Sequence, residues 1–185
     1  MATTARGQVG STSGEAAAVG VWPASRIFAA ALVLQLFHLL EHVVQVAQGK
    51  FLGIKPAHGI LGSFFDLEWV HFLYNWGLFI ALIVATIAVM RERRIRPPVG
   101  WLVLGATLAV QSYHVVEHTV KIVQHVTTGI DPAPGILGQI FDLIWLHFDF
   151  NLIVTLLMIG AFVWLGLYAE VAPGARSGLS RLLRR

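Results

Sequence analysis

The chain has 185 residues, of which 56% are apolar and only 12% charged, with a formal net charge of +3. Soluble domains carry about twice that share of charge, and the mean hydropathy of +0.71 also points away from a water-soluble fold. With no cysteine in the chain, disulfides, iron–sulfur clusters and thiolate-held metals are excluded, which leaves histidine and carboxylate as the strong metal ligands.

Residues 1–25 are rich in Ala, Gly, Ser and Thr and read as a disordered cytoplasmic tail. They do not read as a signal peptide, because the apolar segment that follows is interrupted by His38, Glu41 and His42 and lacks a small-residue cleavage pattern. Four apolar segments follow, at 26–48, 66–90, 99–127 and 142–169. Each is long enough to cross about 30 Å of hydrocarbon as a helix, and helix is the form that satisfies a single segment's backbone in lipid. Gly and Pro punctuate the separators, from Gly49, Gly53 and Pro56, through Pro97, Pro98 and Gly100, to Gly129, Pro132 and Pro134. The expected organisation is a first hairpin over 26–90, a basic loop over 91–99, a second hairpin over 100–170 and a basic tail over 171–185.

All ten arginines fall before the first span, in the middle loop or after the last span. The other two loops hold only Lys50 and Lys55. The positive-inside rule then makes both termini cytoplasmic in a multi-pass cell-membrane protein. The basic balance is thus a topology signal, and nothing points to nucleic acid. Trp22, Trp101 and Trp164 would mark the inner interface, and Trp69 and Trp145 the outer one.

Residues 35–75 align without a gap onto 111–151 at an offset of 76, with 21 identities in 41 positions. The shared strings are Q-x-x-H-x-x-E-H, G-I-x-P-A-x-G-I-L-G and F-D-L-x-W-x-H-F-x-x-N. Two spans separate the copies, so both hairpins point the same way. The fold class expected is therefore an all-α integral membrane protein, with four transmembrane helices built from two tandem hairpins. This parallel internal repeat predicts a pseudo-two-fold axis along the membrane normal. Apolar positions drift between the copies among Leu, Val, Ile and Phe. Three histidines, one glutamate, one aspartate and one asparagine do not, although polar groups are costly in lipid.

On a helical wheel Gln35, His38, Glu41, His42, Gln45 and Gln48 share an arc of about 140° that should face the bundle interior. Gln111, His114, Glu117, His118, Lys121, Gln124 and His125 repeat it. Counting helical rise from the outer ends places His71 level with His42, and Asn75 level with His38. The predicted metal cluster is therefore His38, Glu41, His42 and His71 with His114, Glu117, His118 and His147. It would lie in the outer half of the membrane, closed from outside by the two G-I-L-G loops. Two histidines at i and i+4 beside a carboxylate suit zinc or iron. Two divalent ions would neutralise the paired glutamates, which repel one another if buried bare. Asp66, Asn75, Asp142 and Asn151 are candidates for orienting the ligating imidazoles. The two aspartates read equally well as helix caps.

Four functions fit these residues. The first is a membrane-bound metalloprotein, as an enzyme a metal-dependent oxidoreductase or hydrolase, with a di-metal centre of iron or zinc acting on a lipid-soluble small molecule. The second is a haem electron carrier using one histidine from each of two helices. The third is a metal or proton pathway. The fourth is a structural subunit with partners in a membrane complex.

Overall fold

The computed structural model describes residues 23–92 and 95–171. Most of the tail expected over 1–25, and all but the first residue of the tail over 171–185, lie outside the described residues. The described residues form helices and loops, without strands. Helix α1 spans Ala24–Val46 and runs on as a π-helical turn over Ala47–Phe51, so Gly49 does not end it as expected. Helices α2 (Leu67–Arg91), α3 (Pro98–Thr128) and α4 (Leu143–Trp164) follow, and then a short α5 (Tyr168–Val171). The first four helices are long and apolar enough to cross a membrane. The fourth stops five residues short of the expected 169. Gly166 takes φ 73°, and the amides of Gly166 and Leu167 turn back onto the carbonyls of Val163 and Phe162, which closes the helix.

Asp66 and Asp142 settle as caps. Each accepts from two amides of the first turn that follows, Glu68 and Trp69 for one, Ile144 and Trp145 for the other.

The buried faces follow a three–four spacing. They read Phe28, Ala31, Gln35, His38, His42 and Gln45 on α1, and His71, Asn75, Leu78, Leu82, Ala85 and Val89 on α2. Gly100, Leu104, Thr107, Gln111, His114, His118 and Lys121 continue it on α3, and His147, Asn151, Val154, Met158 and Ala161 on α4. Such a seam suits long helices packed side by side. The four pack in a ring in chain order, α4 closing against α1, which puts α1 diagonal to α3 and α2 diagonal to α4. Along each seam the residues near the connecting loops 52–66 and 129–142 are polar and the rest apolar. Phe28, Leu78, Leu82, Leu104, Val154 and Met158 form an apolar core in the half of the bundle away from those loops. The outward faces are the reverse of a soluble protein's. Phe37, Leu73, Leu102 and Leu156, one from each long helix, are between 58% and 72% exposed.

Polar contacts tie the other end of the bundle together, where α1 begins and α2 ends. Glu92 accepts from the Ala24 amide at 3.1 Å. Arg96, buried although it sits in the basic loop, bonds Glu92, Glu170 and the Leu165 carbonyl.

Candidate metal centre

The seam histidines meet where the four helices face one another. His38 and His42 come from α1, His71 from α2, His114 and His118 from α3, and His147 from α4, and all six are at least 95% buried. Within α1 and within α3 the two rings lie 4.8 Å apart, centroid to centroid. Each reaches its hairpin partner at 4.9 Å, His42 to His71 and His118 to His147. Across the hairpins His71 lies 5.7 Å from His118, and His42 lies 6.1 Å from His147. One cluster is formed, with contributions from both copies.

The tautomers follow from the backbone. His71 Nδ1 and His147 Nδ1 each sit 2.8 Å from the carbonyl four residues earlier, Leu67 and Leu143. A carbonyl only accepts, so these nitrogens carry the proton and leave Nε2 with a lone pair turned to the cluster. His147 Nε2 has no hydrogen-bond partner. His114 Nε2 and His118 Nε2 are 3.1 Å apart. Two imidazole nitrogens on one tetrahedral zinc are separated by about 3.3 Å. Nitrogens of His114, His118 and His147 all lie within 4.8 Å of one another, a grouping that could hold an ion. In the first copy the Asn75 amide occupies His38 Nε2 at 3.2 Å.

The glutamates are placed elsewhere. Glu41 accepts from the amides of Ile60, Leu61 and Gly62 at 3.0 to 3.4 Å. Glu117 accepts from those of Ile136 and Leu137 at 2.9 and 3.0 Å. Each carboxylate anchors the G-I-L-G loop of its own hairpin. Gly59 and Gly135, at φ 76° and 73°, bring the loop so close that a Cβ would fall 2.3 Å from the glutamate Oε1. The sequence reading put these carboxylates between two ions, whereas the structure leaves the histidine triad without them.

Asn75 and Asn151 donate to the main-chain carbonyls of His71 and His147 at 2.9 Å, and of the two only Asn75 meets an imidazole nitrogen, that of His38. They are gripped in turn from the other hairpin. Gln35 donates to Asn151, and Gln111 to Asn75. Asp66 and Asp142 lie away from the imidazoles at the helix starts. Besides capping, they pair across the hairpins with His125 at 3.0 Å and with Lys50. The Lys50 ammonium, with the amides of Trp145 and Ile144, holds the Asp142 carboxyl below the usual aspartate value.

Two features escaped the sequence reading. Tyr74 and Phe150 stack flat on His38 and His114, at 4.4 and 5.0 Å. The signal was available, since these aromatics sit at matching places three residues after His71 and His147. The second is a buried ion pair that joins the two hairpins on one side of the bundle; the sequence shows Lys121 without a matching lysine, but not its partner. Lys121 Nζ lies 3.2 Å from Glu68 Oε1 and 2.6 Å from the Ala133 carbonyl, and Glu68 accepts from the Ala133 amide at 2.8 Å.

A cavity of about 510 Å³ begins at His42, His71, His118 and His147 and reaches the exposed residues Lys50 and Lys55 between the loops. The loops therefore do not close the cluster as expected, because their glutamate anchors hold them to the sides. No family model, curated protein or solved structure matches this chain.

Proposed function

We propose that the chain is a multi-pass cell-membrane metalloprotein that holds a divalent ion, zinc or iron, on His114, His118 and His147. The observation that carries this reading is the buried triad itself. Three buried imidazoles converge, one has its free nitrogen turned inward by a backbone carbonyl, and a cavity reaches two of them, His118 and His147. Three histidines with an open fourth position describe a catalytic rather than a closed structural site. Redox or hydrolytic chemistry with a metal-bound water fits such a site. The matching His38, His42 and His71 offer a second position, weaker because Asn75 occupies His38 Nε2.

The membrane reading rests on the four long apolar helices, their apolar exteriors and the polar interior of one half. The pseudo-two-fold relation between hairpins is supported by contacts that recur at the offset of 76. Gln35 to Asn151 recurs as Gln111 to Asn75, and His42 to His71 as His118 to His147. The apolar core below the asparagines weighs against a pathway through the bundle. Haem needs a clear plane between two rings, and here every candidate ring has other imidazoles within about 6 Å.

Metal analysis of the purified protein tests the reading. We expect about one zinc or iron per chain, falling to background in His118→Ala and His147→Ala while helical circular dichroism persists. Unchanged metal in both folded variants would sink it, and a Soret band would replace it with haem.

A further inference from the structure

The cavity has unequal walls. Where one side carries Lys121 from the second hairpin and Glu68 from the first, the places that match them at the offset of 76 hold Gln45 and Ile144 on the opposite side, and all four residues line the same space. A lysine ammonium has three protons to donate. Lys121 gives one to the Ala133 carbonyl and one to Glu68, leaving the third for a ligand in the cavity. The side chain is only 6% exposed, so that proton is not spent on bulk water. His118 stands one turn before Lys121 on the same face of α3 and lines the same cavity. The mouth adds Lys50 and Lys55, and the two carboxylates that line the cavity, Glu68 and Asp142, already face lysines. All four long helices contribute to the lining. The cavity is therefore shared by the four helices, and its exposed lining includes the charged Lys50, Lys55 and Asp142.

We propose, building on the metal reading above, that the cavity binds a small water-soluble anion, a carboxylate or oxyanion, between the Lys121 ammonium and the two triad histidines that line it, His118 and His147. This replaces the lipid-soluble substrate expected from sequence. A volume near 510 Å³ suits a small molecule, and the buried ammonium gives it a charge-assisted hydrogen bond.

Acetate is the probe, and its binding is read by line broadening of carbon-13-labelled acetate on full-length protein in phosphatidylcholine nanodiscs. Cobalt uptake is read separately by the visible spectrum. The informative variant is Lys121→Gln with Glu68→Ile, which gives this wall the residues the other half already carries. It avoids leaving Glu68 buried and unpaired. Saturable acetate binding is expected in wild type and in Lys121→Arg, weakened by about tenfold or more in the double variant, with cobalt uptake the same in all three. Equal acetate affinity in wild type and double variant, or no saturable binding, overturns the proposal. Competition by added phosphatidylglycerol also overturns it, by making the anion a lipid headgroup. Failure of cobalt to load, with acetate still bound at Lys121, would sink the metal reading and leave the anion site standing.

Discussion

Glu41 and Glu117 show how far identical residue types can diverge from the chemistry their spacing suggests. The string H-x-x-E-H puts histidine and glutamate on one helix face, as a ligand set would. Yet the carboxylate can turn to whichever donors are nearest, and the nearest are the loop amides. Hydrogen bonds to a charged acceptor contribute about 1.5–3 kcal/mol each. Glutamine keeps one acceptor oxygen and adds an amine that faces the same amides. Glu41→Gln and Glu117→Gln are therefore expected to lower the thermal midpoint while metal content stays at the wild-type level. A loss of more than half the metal in a folded glutamine variant would restore the bridging role read from sequence. The histidines behave oppositely. Backbone carbonyls hold the rings of His71 and His147, and Tyr74 and Phe150 stack on those of His38 and His114; the helical wheel made the meeting of the six legible because all lie on inward faces.

At the scale of elements, the helix starts decide the outer end. Asp142 begins α4 as its cap and pairs with Lys50 across the hairpins. Its folded-state carboxyl titrates below the ordinary value. The stability it contributes is fully present above the unfolded value of about 4 and is lost as pH falls through the lowered folded value. Melts between pH 6 and pH 3 should therefore decline less steeply in Asp142→Asn than in wild type. Equal slopes would show that the pair adds nothing, as exposed pairs often do. The ends of the other elements were only partly legible. Gly49 reads as a breaker, but the backbone passes it in a wider turn. The fourth span reads through 169, but a left-handed glycine ends it at Trp164. Composition marks where a helix can stop, while the hydrogen bonds available beyond it decide where it does.

For the whole molecule, orientation is the property to test. Among the described residues Arg26, Arg91 and Arg96 lie at the end where Glu92, Arg96 and Glu170 tie the helices together, and the cavity opens at the opposite end. Cysteines placed at Ser63 and Gln139 should be labelled by an impermeant reagent from outside intact cells. One at Ile95, fully exposed in the middle loop, should react only after the membrane is opened. Outside labelling at Ile95 would reverse the topology. The sequence by itself determined the number of helices, their apolar length, the repeat at 76 residues and the inward stripe of histidines. All of these follow from composition and periodicity along one chain. Tertiary structure alone decided that the triad of the second hairpin turns its nitrogens to one another while His38 is occupied by Asn75. It also decided that the glutamates hold loops, and that the single pair of Lys121 and Glu68 gives the cavity one charged wall. These outcomes depend on which donors and acceptors from different helices and loops come within about 3.5 Å of one another. No spacing along a single helix encodes that distance.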